Sequence, residues 1–546
     1  MCGAFLRENR EIPLTLAADG AAGRSGKAIG RTTEMHVDGK SDGSVVPAKQ
    51  PNNADGLAAE AVEGRDPIKG NTSGQNTSRT QSRSDVSSAL DRVRRAAKRD
   101  KKMRFTALLH HVTVDRLRTA YFSSKKHAAA GVDGVTWQHY GEQLEENLQR
   151  LHSEVHRGAY RAKPTRRVYI PKPDGRQRPL GIATLEDKIV QRALVEVMNA
   201  IYESDFLGFS YGFRPGRGAH DALDALAAGI AGKKVNWVLD ADIRGFFDAI
   251  DHGWLLKFIK HRIADSRVLR LIQKWLRAGV MEQGKRLPTE VGSPQGATVS
   301  PLLANICLHY TFDLWAQQWR TRRARGDVII VRYADDFLLG FQHHSDALRF
   351  MNDLRERFAR FKLELHPEKT RLVAFGVYAR ERRQERGLSG APSTFNFLGL
   401  THCCGRSRKG KFMLVRRTMR ARLTGKIQEV TLEMRRRMHQ PIEQQGRWLE
   451  AVVRGHYAYY GVPTNIQALG AFQKAVAKVW FKSLRRRSQR RRLNWQRMHH
   501  LATRWIPDAC IVHPWPTQRF DARPKIRAQC GSSARWDLYG GRFESP

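Results

Sequence analysis

The sequence predicts an α+β fold, and three observations predict it. Val328–Val331 and Phe337–Phe341 are apolar runs rich in β-formers, joined through a short polar centre, and read as two buried strands and their turn. Upstream, Trp237-Val238-Leu239-Asp240-Ala241-Asp242 reads as another buried strand. From Arg416 onward the apolar residues recur at helical spacing instead.

The turn between the first two strands carries Asp335 and Asp336. Adjacent carboxylates repel each other and are costly to desolvate, a cost that a divalent cation removes. Alone, such a pair is more simply an acidic turn facing water. It does not stand alone, because Asp240 and Asp242 share one face of the upstream strand. A third carboxylate brought beside Asp335 and Asp336 would complete a two-metal phosphoryl-transfer site, with Mg²⁺ the fitting hard cation.

Composition restricts the partners. The chain has 546 residues, with 95 Lys+Arg against 53 Asp+Glu, a net charge of +42. Such a field points to a polyanion, with nucleic acid the first candidate. No apolar run approaches the ~20 residues that span a bilayer, so no membrane role is expected. Six scattered cysteines form no Cys-x-x-Cys pair, which argues against a zinc knuckle and for a reducing, cytoplasmic compartment. Acidic residues near the N-terminus (Glu8, Glu11, Asp19) fit neither a signal peptide nor a transit peptide.

Residues 1–90 are rich in Gly, Ser, Asn and Ala, and their 11 basic and 11 acidic residues cancel. They are expected to form a disordered tail. A basic helical run over Arg92–Arg104 follows. Arg167–Leu180, with its Pro-Asp-Gly turn, reads as a hairpin presenting Lys172, Arg176 and Arg178. Leu185–Tyr202 is helical. Phe209-Ser210-Tyr211-Gly212-Phe213-Arg214-Pro215-Gly216 is a glycine-rich aromatic loop. Helices are expected near Trp254–His261 and Val268–Ala278, then Gly292-Ser293-Pro294-Gln295-Gly296 feeds a helix running to about Trp315. Ser345–Phe361 reads as an amphipathic helix, then a strand over Arg371–Phe375. Residues 401–500 hold 24 basic and 4 acidic residues, including the clusters Arg435-Arg436-Arg437 and Arg485-Arg486-Arg487, with interleaved aromatics. These arginines are expected to lack acidic partners.

Tyr333-Ala334-Asp335-Asp336 after an apolar strand, with Asp242-Ile243-Arg244-Gly245-Phe246-Phe247-Asp248 before it, resembles the reverse transcriptases encoded by bacterial group II introns. The resemblance covers about residues 100–520. It implies a right-hand polymerase, with fingers and an antiparallel palm followed by an α-helical thumb and maturase domain. The expected boundaries are 91–236 for the N-terminal extension and fingers, 237–415 for the palm, 416–490 for the thumb/maturase domain and 491–546 for a basic C-terminal region. That last region lacks the paired cysteines of an HNH endonuclease. The resemblance further implies Asp242, Asp335 and Asp336 as catalytic residues, and Asp242, Ile243, Asp335 and Asp336 as the set holding two Mg²⁺ ions. Asp240 is the lesser ligand candidate, and Lys369 could balance phosphate charge. Lys172 and Arg178 would contact the triphosphate, Gln295 the incoming nucleotide, and Phe247 the underside of its sugar. Arg214 and the two arginine clusters would bind nucleic acid. Phe395–Leu400 is similar to the last palm box and Gly455–Pro463 to a maturase segment. The implied partners are intron RNA, an RNA template, a DNA primer, a DNA target and dNTPs. The implied location is the bacterial cytoplasm, in a ribonucleoprotein or nucleoid association. A domesticated reverse transcriptase in repair or defence, and a splicing cofactor with a vestigial polymerase, remain alternatives.

Overall fold

A computed structural model describes residues 89–171, 177–288, 291–293, 295–387, 389–487 and 493–522. The expected tail over 1–90 lies outside these but for its last two residues, as do Lys172 and Arg176. The strands are β1 (Thr165–Pro171), β2 (Gln177–Ile182), β3 (Trp237–Ala241), β4 (Val280–Glu282), β5 (Lys285–Leu287), β6 (Val328–Tyr333), β7 (Asp336–Phe341), β8 (Arg371–Ala374), β9 (Phe395–Phe397), β10 (Leu400–Arg406) and β11 (Phe412–Thr418). They form three sheets, ordered β2-β1-β4-β5, β6-β7-β3-β8 and β11-β10-β9. No helix among the described residues is long and apolar enough to cross a membrane.

The second sheet is wholly antiparallel and organises the site. Its strands are apolar on both faces because both are covered. Leu239, Phe337, Leu339 and Phe341 pack into one core with Phe350, Leu354 and Phe358 of helix His344–Ala359. Val238, Leu338, Ile329 and Val331 alternate to the other face, against Leu223, Leu226 and Ile230 of helix Ala219–Gly232.

One residue breaks the apolar pattern of β6. Arg332 is fully buried, and every N–H direction of its guanidinium is used. Nε and Nη2 donate to Asp313 at 2.7 Å each. Nη1 donates to Asn305 Oδ1 at 2.9 Å and to the Ala334 carbonyl at 2.8 Å, and Nη2 also donates to Ser210 Oγ at 2.7 Å. Asp313 reaches this position through a helical irregularity. The expected single helix to Trp315 is instead Ser300–Leu308, a π segment His309–Asp313, then Leu314–Arg322. The wide π turn shifts the register that a continuous α-helix would impose.

The helical C-terminal part differs from its expected limits. β11 continues to Thr418, so the first helix begins at Arg420 rather than near Arg416. Helices Arg420–Arg436, Ile442–Tyr460, Ile466–Arg487 and Trp495–Trp505 share one core, which includes Met498 and Ile506. The unit therefore does not stop at 490. The first sheet likewise crosses the boundary drawn at 236, because β4 and β5 complete it. The chain's last described helix, Pro516–Ala522, sets Arg519 against Asp224 at 2.6 Å, beside the Arg416–Asp224 pair at 2.8 Å.

Breaking a buried pair strands the remaining charge, at about 3–5 kcal/mol. Asp313→Ala should lower unfolding free energy by that amount, read from the urea midpoint, while Arg323→Ala, which breaks an exposed pair with Asp353, should cost under about 1 kcal/mol.

Candidate active site

The three carboxylates are brought together by strand register. β3 sets Ala241 opposite Phe337 of β7, so Asp242, one residue on, comes beside Asp336. Tyr333 pairs with Asp336 across the hairpin, leaving Ala334 and Asp335 as a two-residue turn. Ala334 holds a left-handed φ of 58°, an uncommon conformation for a residue with a side chain, and the Arg332 bond to its carbonyl pins it.

The loop 209–216 supports this turn from below. Arg332 N–H donates to the Phe209 carbonyl and Tyr211 N–H to the Arg332 carbonyl, both at 2.9 Å. A Cβ on Gly212 would lie 2.3 Å from the Ala334 nitrogen, so only glycine permits this approach. Arg214, expected to meet nucleic acid, is buried, bonded to Glu203 at 3.0 Å and to the Leu207 and Ser210 carbonyls at 2.7 Å each, so it braces the loop from within.

The carboxylates are unequal. Asp335 is half-buried, and its pKa is pushed up to about 6, first by burial and then by the charge of Asp242, with Asp336 adding to it. Arg178 of β2 pulls in the opposite direction, so its guanidinium acts on the same site. Asp242 is buried and accepts from Lys369 Nζ at 3.1 Å. Asp240 is fully buried and meets Arg371 at 3.4 Å, the behaviour of a structural residue. Ile243 buries its side chain in the core and bridges Leu365, so only its backbone carbonyl could serve a cation.

Among the described residues no three His, Cys, Asp or Glu side chains converge closely enough to hold a metal by themselves. The donor set nevertheless suits a hard divalent cation. It offers only carboxylate oxygens, their mutual repulsion is expressed in Asp335, and an ammonium already sits on Asp242. An ion taking further ligands from substrate phosphates does not need a closed protein cage.

The segment around Ser293, Gln295 and Gly296 ties β2 to Phe247. Gly181 N–H of β2 donates to the Gln295 carbonyl at 2.6 Å, and Ser293 N–H donates to the Phe247 carbonyl at 2.7 Å. A Cβ on Gly296 would meet the Gly181 carbonyl at 2.8 Å. Glycine at 296, with a φ of 107°, is what permits this close approach to β2. Gln295 and Phe247 are half-buried, and Phe247 packs edge-on against Phe246, with ring centres 5.6 Å apart. On the far side Tyr459 O–H donates to the Leu398 carbonyl at 3.0 Å, joining the Phe395–Leu400 box to the Gly455–Pro463 segment.

The arginine clusters lie on helix ends, apart from these residues in sequence. Arg435, Arg436 and all of Arg485, Arg486 and Arg487 are exposed. The expectation that they lack acidic partners fails for the first cluster. Glu433 accepts from Arg437 at 2.8 Å and pairs with Arg436 at 3.5 Å, and Arg437 lies over the Trp448 ring. Sequence reasoning also missed Arg332, Asp313, Asn305 and Ser210. The available signal was a charged residue inside an otherwise apolar strand, which requires a buried partner.

A carboxyl whose acidity is weakened by folding makes the folded state less stable while it is ionised. That penalty is present above about pH 6 and fades as pH falls from 6 towards 4, where Asp335 takes up a proton. Asp335→Asn, which is never ionised, should melt roughly 2 °C above the parent at pH 7.5 without divalent ions, and the gap should narrow below pH 6 and close as pH falls to about 4.

The reverse transcriptase (RNA-dependent DNA polymerase) family model matches residues 170–402. Protein YkfC of Escherichia coli is 37% identical over 245 residues, covering 40% of this chain and 64% of that protein. Group II intron-encoded protein LtrA of Lactococcus lactis is 35% identical over 222 residues, covering 40% of this chain and 37% of LtrA. A nuclear intron maturase of Arabidopsis thaliana mitochondria is 28% identical over 172 residues, 24% of this chain and 23% of its own length. The chain thus spans less than two thirds of each of these relatives. Over residues 170–402 the chain matches the reverse transcriptase family model, and it is similar to a group II intron-encoded protein.

Proposed function

We propose that the protein is an RNA-directed DNA polymerase of a group II intron that also serves as the maturase of its intron RNA. The observation that carries the reading is the register that sets Asp242 beside the Asp335–Asp336 turn, with Arg178, Gln295 and Phe247 tied to one another by a single loop. The three sheets and the helical C-terminal unit correspond to fingers, palm and thumb. The substrates are dNTPs on an RNA template with a DNA primer, and intron mobility adds a DNA target.

Asp242, Asp335 and Asp336, with the Ile243 carbonyl, would hold two Mg²⁺ ions. When bound, these supply activation of the primer 3′-hydroxyl and stabilisation of the leaving pyrophosphate. Lys172 and Arg178 neutralise the triphosphate, and the Gln295 side chain orients the nucleotide. Lys369 stands on Asp242 and supplies it with a counter-charge. Phe247 lies under the sugar and excludes a 2′-hydroxyl by volume. The exposed arginines at 435–436 and 485–487 lie in a segment with a surplus of 20 positive charges and suit the phosphates of intron RNA. The polymerase reading is favoured over a vestigial one by the presence of all three carboxylates.

Asp335→Ala should reduce Mg²⁺-dependent primer extension on an RNA template by at least 10³-fold, with RNA affinity changed less than about threefold. Extension near the parental rate would remove the site assignment. Phe247→Val should raise the ratio of ribonucleotide to deoxynucleotide incorporation at least tenfold, measured by single-nucleotide extension. An unchanged ratio would make Phe247 a packing residue only.

A further inference from the structure

After helix Trp495–Trp505 the chain runs back as a strap over residues 506–522, ending in the short helix Pro516–Ala522. Its first part is tied to the helical C-terminal unit. Tyr457 O–H donates to the Pro507 carbonyl at 3.2 Å, and Gln473 Nε2 donates to the Asp508 carboxylate at 3.0 Å. The Val512 and His513 N–H groups both donate to the Gly461 carbonyl, at 2.8 and 2.9 Å. Its end is tied elsewhere. Arg519 meets Asp224 of helix Ala219–Gly232, the helix that covers one face of the carboxylate-bearing sheet, at 2.6 Å. One strap thus joins the end of helix Ile442–Tyr460 to the half of the molecule that holds the carboxylates.

Two histidine rings stack where these ties meet. His220 and His513 are half-buried, with ring centres 3.8 Å apart and planes 24° from parallel. The neighbours of His513 set its protonation state. Its Nε2 lies 2.7 Å from the Ala458 carbonyl, and its Nδ1 lies 2.7 Å from Arg519 Nη2. A carbonyl only accepts and a guanidinium only donates, so Nε2 carries a proton and Nδ1 is bare. His220 Nε2 likewise donates to the Tyr459 carbonyl at 2.8 Å. The cations facing the pair are Arg519 and, from β11, Arg416. The facing carboxylate is Asp224, already shared between those two arginines at 2.6 and 2.8 Å. Asp221, beside His220 in the chain, accepts from the Gly218 N–H at 2.8 Å, and the Tyr459 O–H is turned to the Leu398 carbonyl. Burial pushes the His220 pKa down to about 4, with the charge of His513 adding to the effect. Burial lowers His513 as well, Arg519 and Arg416 adding while the Ala458 bond and Asp224 oppose.

We propose that residues 506–522 form a pH-sensitive clasp, closed across the helical unit and helix Ala219–Gly232 while His220 and His513 are neutral, and opened when they take up protons. A proton on His513 Nδ1 removes the acceptor for Arg519 and sets two cations face to face. A proton on His220 sets a further positive charge against the stacked ring. Opening relieves both, because it returns the rings to water, where a histidine titrates near 6.5. Below that value the open form binds more protons than the closed one. The clasp is therefore at full strength above about pH 6.5 and weakens as pH falls towards 4. It is a matter of packing and protonation, and it holds whatever reaction the chain performs.

Hydrogen exchange on the full chain, with rates corrected for the intrinsic effect of pH, reads the clasp directly. Peptides covering Val512 and His513 should lose protection at least about tenfold between pH 7.5 and 5.5, the factor that a single histidine shifted from 6.5 to about 4 supplies. Peptides covering the β3–β7 pair should keep their protection over the same range. Equal strap protection at the two pH values overturns the proposal. A parallel loss in β3–β7 overturns it too, since the effect would then be global. The His220→Gln, His513→Gln double variant keeps side-chain N–H donors for the two carbonyls and cannot titrate. Its strap protection should be flat with pH, and a fall as large as the parent's would overturn the role of the histidines. Arg519→Ala should lower strap protection at pH 7.5 at least about fivefold with β3–β7 unchanged. Full protection in that variant would mean that Arg519 does not close the clasp and would overturn the mechanism. The parent's own pH profile decides the matter if either variant fails to fold.

Discussion

The structure depends on what a guanidinium requires when it is taken out of water. Arg332 is fully enclosed, and its buried donors need acceptors that only specific groups can supply. Those acceptors come from four separate stretches: Ser210, Asn305, Asp313 and the Ala334 carbonyl. Satisfying one side chain therefore fixes the glycine-rich loop, the apolar helix, the π segment and the acidic turn relative to one another. Asn305 extends the network by donating to the Gly212 carbonyl at 2.7 Å. This matters because the turn is under electrostatic stress. Two neighbouring carboxylates with a third beside them would relax by moving apart, and the bond to Ala334 opposes that movement.

A second layer of constraint lies across the site. The 291–300 loop has little regular structure, yet it bonds backbone to backbone with β2 and with Phe247. A displacement of β2 would therefore move Arg178 and the Gln295 backbone together. The loop, β2 and Phe247 are thus coupled through main-chain hydrogen bonds rather than side-chain contacts.

The acidic hairpin, the upstream strand and most helices were legible in the sequence because each is strongly periodic or carries a paired carboxylate. The Asp242–Asp336 neighbourhood was legible only through resemblance, since strand order is not written in local pattern. What was illegible has a common cause. Arg214 looked like a phosphate ligand because arginine in a glycine-rich loop is ambiguous until its depth is known. The π segment at His309–Asp313 leaves apolar periodicity nearly intact, so nothing local marks it. The end of the last sheet at Thr418 was missed because Arg416 and Arg417 read as the start of a basic helix, whereas Arg416 points inward to Asp224. Arg214 and Arg416 were both read as facing solvent, and both are buried against a carboxylate, Glu203 for the one and Asp224 for the other.

That pattern bears on the meaning of the net charge. Each internal pair, such as Arg332 with Asp313, Arg262 with Asp205 or Arg416 with Asp224, removes one charge of each sign from the surface. The surplus of 42 is untouched by such pairing, while the supply of surface carboxylates shrinks. Acidic residues are the scarcer kind here, so burying them leaves an exterior more one-signed than composition alone suggests. A stronger exterior field raises affinity for any polyanion without choosing between them. Discrimination between polyanions must then come from the shape of particular sites rather than from the field. The internal ion pairs thus serve two ends, since they position the carboxylate turn and they also leave a more one-signed exterior.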